Sequence, residues 1–304
     1  MDNPNMTNLN DLINSVATDL NVSVYSVDSG FGAEELPDWG GRHFRLLNRP
    51  QIALLSHSGF SSYDVGVSWW SLDHHLGIRH SQLDASLVNY GDLRRYNTII
   101  LPSGYSNIDS NQLNIISDWV EQGGTLIAHN GSSRYISSNN GIGSVKTVQN
   151  TFDEIDNYNM DLQREFLSLD EMIDSEHWLT FGTPKNIPLL YSNYPVLMTG
   201  GNSEAAVRIG QLVNSDREEY RSINWSDIPP NKDLNVKMSG LVWPEASQRI
   251  ANSAYLTRER YGKGQIILFA GEPNFRGSSL GTNRLWLNAV VYGSGLGTSS
   301  KINP

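Results

Sequence analysis

Three short apolar runs constrain what this chain can fold into: QIALLS at residues 51–56, NTIILPSG at 97–104 and TLIAH at 125–129. Each is continuous rather than alternating, as a strand covered on both faces must be. Between the first two, Ser61 and Asp64 have the spacing of a helix capping box, and Val65, Trp69, Leu72 and Leu76 follow at i, i+4, i+7 and i+11. Between the second and third, residues 110–122 place Leu113, Ile116 and Val120 on one helical face, stopped by Gly123 and Gly124. Strands alternating with helices at this spacing predict an α/β fold with a mostly parallel sheet and right-handed crossovers.

The pattern resumes near the C-terminus. Residues 252–273 read as two strands joined by Gly-Lys-Gly, an antiparallel hairpin added to the sheet. The loop GEPNFRGSS then leads into a helix expected to be capped by Thr282 and ended by Gly293. This frames an α/β domain over 50–293, interrupted by an irregular insertion at about 144–250. The insertion is expected to hold a helix near Leu162–Ile173 and strand material broken by prolines at 186–200. Residues 1–49 read as a lead-in with a helix pattern (Leu9, Leu12, Ile13, Val16, Leu20) and an alternating strand, VSVYSV at 22–27; residues 294–304 read as a flexible tail.

Composition removes several functions. Acidic residues outnumber basic ones, 32 to 22, with no basic block, so the electrostatic footprint of a nucleic-acid partner is missing. There is no cysteine, which excludes disulfides, thiolate metal sites and a cysteine nucleophile. None of the seven histidines begins an H-x-x-E or H-E-x-x-H motif, so no metal or cofactor is expected; His74, His75 and His80 are read as meeting a helix end. No apolar run is long enough to span a membrane. The N-terminus lacks a signal-peptide pattern, which implies the cytoplasm if Met1 is the native start.

Ligands of parallel α/β sheets bind at the carboxyl ends of the strands. Three loops would converge there: SHSGFSSYD, HNGSS and GEPNFRG. They supply the catalytic candidates Ser58, Ser132, His57, His129 and Glu272, and the ligand-binding candidates Asn130, Asn274 and Arg276. A serine hydrolase would use Ser58 or Ser132 with His57 or His129 and Glu272. No G-x-S-x-G elbow and no phosphate-binding glycine motif is present. Glu272 and Arg276 can instead brace the turn as a local ion pair, with Gly277 and Gly281 permitting positive φ, or Arg276 can clamp an anion. Trp69, Trp70, Trp119 and Trp286 are read as core.

Four segments, SGFSSYDVGVSWWSLDHHLGI (58–78), YNTIILPSG (96–104), WVEQGGTLIAHNGSS (119–133) and the run from Gly262 to Gly293, resemble the class I glutamine amidotransferase-like domain found C-terminal to the catalytic domain in bacterial M14-type zinc carboxypeptidases. The resemblance covers about residues 10–293. It implies a flavodoxin-like α/β fold and an accessory role beside a peptidase domain of the same polypeptide, in a secreted or periplasmic protein. The cysteine of true amidotransferases would fall in the turn from His129 to Ser133, where none exists, and Glu272 stands without the usual H-x-E. The expected function is therefore non-catalytic, contacting a domain, a small molecule or a peptide. The alternatives are the serine hydrolase above and a carbohydrate- or peptide-binding module at the same strand ends.

Overall fold

The strand β1 (Ile52–Ser56) is buried along its whole length, and everything that positions the candidate site is arranged around it. The computed structural model describes residues 7–26, 29–32, 38–39, 41, 47–57, 59–104, 108–138, 140–148, 173–192, 194–223 and 226–298. The chain divides into two units, 1–46 and 47–304. In the first, helix α1 (Leu9–Asp19) forms as its periodicity predicts, yet none of its residues is buried. The strand expected at 22–27 does not form: residues 22–26 run without a sheet partner, and Val27 lies outside the described residues.

In the second unit β1 is followed by helix α2 (Ser62–Trp70), which continues as one π-helical turn, Ser71–His75. Then come β2 (His80–Asp84), β3 (Thr98–Leu101), α3 (Ser110–Glu121), β4 (Thr125–His129) and α4 (Asn130–Ile136). Sequence reading missed β2, whose HSQLD lacks an apolar run because it is only partly covered at the sheet edge. Asp109 caps α3 in a full capping box with Gln112, which explains why the helix begins there.

The insertion adds β5 (Lys146–Val148), β6 (Val196–Met198), β7 (Ser203–Arg208), β8 (Gln211–Asn214), β9 (Arg221–Ile223), β10 (Ser226–Ile228), β11 (Lys232–Asn235) and α5 (Pro244–Ile250). The helix expected at Leu162–Ile173 lies outside the described residues except for Ile173, which bridges Val207. The hairpin is β12 (Ala254–Tyr261) and β13 (Gly264–Phe269), and α6 (Leu280–Gly293) closes the unit. Ser279, not Thr282, precedes α6; the Thr282 hydroxyl donates instead to the Pro273 carbonyl, 2.6 Å away.

The main sheet runs β2-β1-β3-β4-β13-β12-β6-β5, with β7 also paired to β12. From β2 through β13 every pairing is parallel. That is the flavodoxin-like strand order, with its switch point between β1 and β3. From β12 onward the pairings are antiparallel, so β5, β6 and β7 of the insertion extend the sheet, while β8 pairs with β11 and β9 with β10 in two separate two-stranded sheets. Arg258 pins that junction: it donates to Glu204 of β7 at 2.9 Å, to Gln265 at 3.0 Å and to the Gly297 carbonyl at 3.2 Å. The last contact, with Gln265 donating to the Leu296 carbonyl at 3.0 Å, holds the start of the expected tail against the sheet. The core is filled by β1, β3, β4 and β13 together with Trp286, Tyr255 and Phe269.

At the Gly-Lys-Gly turn, Gly262 takes φ 60° and Gly264 has no room for a Cβ, which would lie 2.2 Å from the carbonyl oxygens of both Gly124 and Val120. Gly264→Ala must push β13 away from the end of α3. It is expected to destabilise by about 1–3 kcal/mol, read as a lower urea midpoint with unchanged slope.

Candidate functional site

Helix α2 begins where the Ser61 hydroxyl accepts the Asp64 N–H at 3.4 Å, as the capping spacing predicts. The Ser61 N–H donates to the Ser103 carbonyl at 2.7 Å, which ties the start of the helix to the loop after β3. The Asp64 carboxylate does not complete a capping box. It turns inward, and the buried face of the helix is Asp64, Ser68, Ser71 and Leu72, whereas Trp69 is 43% exposed. Of the expected apolar stripe, Leu72 is fully buried and Val65 and Leu76 pack against the core, whereas Trp69 is corrected from core to surface. Trp119 and Trp286 are core, as expected.

Asp64 meets His129, the last residue of β4. The Asp64 Oδ2 to His129 Nδ1 distance is 2.9 Å, and both side chains are 0% accessible. The same oxygen accepts the Ser103 N–H at 2.6 Å. A carboxylate can only accept, so the ring is held with its proton on Nδ1. Phe269 and Trp286 pack edge-on against the imidazole, with centroids at 5.7 and 6.2 Å. Among the described residues His129 Nε2 and Asp64 Oδ1 have no hydrogen-bond partner, nor do Ser68 Oγ, Asn274 Oδ1 and Trp286 Nε1, so this interior is polar on several sides.

Directly after His129 the chain makes a sharp strand-to-helix turn. Asn130 sits at its apex with φ 41°, a conformation asparagine tolerates better than most residues. Gly131 follows, with its Cα so close to the Gly104 carbonyl that a Cβ would lie 2.2 Å from that oxygen. Glu272, beyond β13, accepts hydrogen bonds from the Asn130 and Ser103 side chains. Its carboxyl is nonetheless pushed above the ordinary carboxylate range, first by burial and then by the Asp64 charge, with His129 and the two hydrogen bonds opposing. Tyr194, which hydrogen-bonds to the Glu272 backbone, is pushed up to about 12 by burial first and by Glu272 second. The arrangement offers no side-chain nucleophile at the apex of the turn.

The structure brings His129, Asn130 and Glu272 together, while Asn274 donates to Ser71 Oγ on the buried face of the α2 helix at 3.2 Å. Ser132 is buried and donates to the Pro102 carbonyl at 2.5 Å, away from any imidazole partner. Ser133 donates to the Ala128 and Phe269 carbonyls, both at 2.8 Å. His57 pairs with Ser56 at 2.7 Å in a separate pocket, and Ser58 lies outside the described residues. The expected Glu272–Arg276 ion pair does not form among the described residues: Arg276 lies over the Phe275 ring at 5.1 Å and takes φ 52° itself. Gly277 has the expected positive φ, whereas Gly281 sits inside α6 without one. His74 and His75 pack on Trp70, and among the described residues no group of three or more His, Cys, Asp or Glu could hold a metal ion. Asp64, Ser103 and Tyr194 were missed by sequence reading. The signal for Asp64 was a polar stripe, Asp64, Ser68 and Ser71, at helical spacing.

Neither a protein-family model nor a curated protein matches this chain. Solved structures are similar to it in the course of the chain. A ThuA-like protein from Bacteroides uniformis is 14% identical with a TM-score of 0.46, over 81% of this chain and 91% of the other. A cytoplasmic protein from Salmonella typhimurium is 12% identical with a TM-score of 0.42, over 79% and 97%. A β-galactosidase from Bacillus circulans is 13% identical with a TM-score of 0.39, over 80% of this chain and 32% of its own.

Because the folded state holds the Glu272 proton more tightly than the unfolded chain does, this group's contribution to stability is fully present below the ordinary Glu value of 4.5 and is lost as pH rises through the raised folded value. Glu272→Gln should therefore leave Tm nearly unchanged at pH 4 and raise it relative to wild type at pH 8. A difference independent of pH would show that the carboxyl is not perturbed in this way.

Proposed function

We propose that this chain is a non-hydrolytic domain of the class I glutamine amidotransferase-like type, which holds a ligand at the carboxyl ends of its central strands and does not cleave it. The observation that carries this reading is Asn130. It occupies the apex of the turn between β4 and α4, in the left-handed conformation that such strand–turn–helix elbows use to present a nucleophile. A carboxamide there is a hydrogen-bonding group and not a nucleophile. The nearest hydroxyls support the same reading: Ser132 and Ser133 both donate to buried carbonyls. What remains is a set of hydrogen-bonding groups, the Asn130 amide, the Ser103 hydroxyl and the Glu272 carboxyl.

The finer reading is that this domain is the accessory part of a bacterial M14-type zinc carboxypeptidase. It is supported by the resemblance of the four sequence segments, which build α2, β3, β4 with the start of α4, and β13–α6. The reading frame flanking the coding sequence tests it. An upstream zinc-peptidase domain is expected; a frame without one would remove the accessory role and leave the non-hydrolytic reading standing.

The non-hydrolytic reading is tested with a fluorophosphonate probe and intact-mass analysis. The protein is expected to keep its unmodified mass after prolonged incubation at pH 8. A stoichiometric adduct on Ser132 or Ser58 would overturn it in favour of a serine hydrolase.

A further inference from the structure

Helix α2 has a second working face. About 140° around the helix from Asp64, its residues Ser62, Val65, Gly66 and Trp69 line a pocket of about 320 Å³, closed by Phe60 and by the end of β1 and the middle of β2. Its volume lies at the small end of the range for small-molecule sites.

Gly66 is the residue that local structure does not explain. Glycine in a helix interior is less favourable than alanine, and it is normally retained where φ must be positive or where a neighbour leaves no room for a Cβ. Neither holds at Gly66: it is helical, and a Cβ built on it would meet nothing within 4 Å. The space a side chain would take is the floor of the pocket. Beside it stands the Trp69 indole, 43% exposed on a helix whose inner face is polar. His57, on the rim, is held at φ 72°, a strained conformation for a residue with a side chain. Its Nδ1 pairs with Ser56 Oγ at 2.7 Å. Strain at a residue that faces a pocket is a pointer to function.

The polar groups of the pocket identify the class of ligand. The Ser56 and Ser62 hydroxyls, the His57 ring and the Gln82 amide both donate and accept, as a ligand bearing several hydroxyl groups requires. Among the described residues no lysine or arginine lines the pocket, and Asp84 pairs opposite Ser56 across β1 and β2, which disfavours an anion. An exposed indole beside a side-chain-free helix surface offers a flat apolar platform for the C–H face of a ring. We propose that this pocket binds a neutral sugar ring, stacked on Trp69 over Gly66, with its hydroxyls bonded to His57, Gln82 and the two serines. This site is separate from the Asn130–Glu272 cluster and does not depend on that cluster's being non-hydrolytic.

The test uses the full chain and a panel of glucose, galactose, mannose and their methyl glycosides, with adenosine and a neutral tripeptide as controls. Binding is followed by tryptophan fluorescence and by backbone amide shifts. Saturable binding of at least one sugar is expected, with shifts centred on residues 56–69 and 82. Gly66→Ala should weaken it at least tenfold while keeping or raising Tm, because alanine favours the helix and fills the floor. Trp69→Ala should weaken it by a similar factor. The proposal is overturned if no sugar binds saturably, if either variant binds as wild type does, if the shifts centre on another part of the chain, or if adenosine or the tripeptide binds and the sugars do not.

Discussion

The contact on which the rest depends is the buried pair between Asp64 and His129, 2.9 Å apart and closed to solvent. A carboxylate and an imidazole removed from water are tolerated only when each finds a partner, and breaking such a pair leaves one group uncompensated. Asp64 comes from the first helix after β1 and His129 from the end of β4, so the pair clamps α2 across the carboxyl ends of the strands. The Ser103 N–H, bonded to the same carboxylate oxygen, brings in the loop after β3. One carboxylate thereby fixes three of the elements that surround the flavodoxin-like switch point.

That clamp explains the arrangement of the groups around it. With His129 held inward, the chain leaves β4 through a tight turn in which Asn130 takes a positive φ, and the close approach of Gly131 to Gly104 follows. The Asp64 charge in turn acts on Glu272, helping burial to raise its carboxyl while Asn130 and Ser103 hold it in place. Because the polar face of α2 is committed inward, the opposite face is left to Trp69 and Gly66, and the pocket beside β1 opens there. The helix therefore works on both sides: one organises the strand ends, the other is free to meet a ligand.

Much of this fold was legible because its central strands are buried on both faces. The runs at 51–56, 97–104 and 125–129 and the Gly-Lys-Gly hairpin could hardly have been anything else, and each became the expected strand. The edge strand β2 was not legible, since HSQLD carries no apolar pattern, and neither were the short strands of the insertion, whose pairing is decided by distant partners such as Arg258 and Glu204. The site was half visible. His129, Asn130 and Glu272 stand at strand ends, where ligand-binding residues of such sheets are found. Asp64 was hidden by a sufficient local explanation, the helix cap, and Trp69 by the habit of assigning an amphipathic helix's apolar stripe to the core. The rest of that stripe does meet the core, with Leu72 fully buried, and only Trp69 turns to the surface while Asp64, Ser68 and Ser71 carry polar groups inward.

Whether Asp64 and His129 clamp the strand ends is decided by a double-mutant cycle, with the stabilities of wild type, Asp64→Asn, His129→Gln and the double variant measured by urea unfolding at pH 7. Each single change is expected to cost about 3–5 kcal/mol, as breaking a buried pair does. The double variant should cost less than the sum of the two by about 2 kcal/mol or more. Single changes below about 1 kcal/mol that add within about 0.5 kcal/mol would mean that Asp64 and His129 do not act as a pair, and the clamp across the strand ends would have to be abandoned.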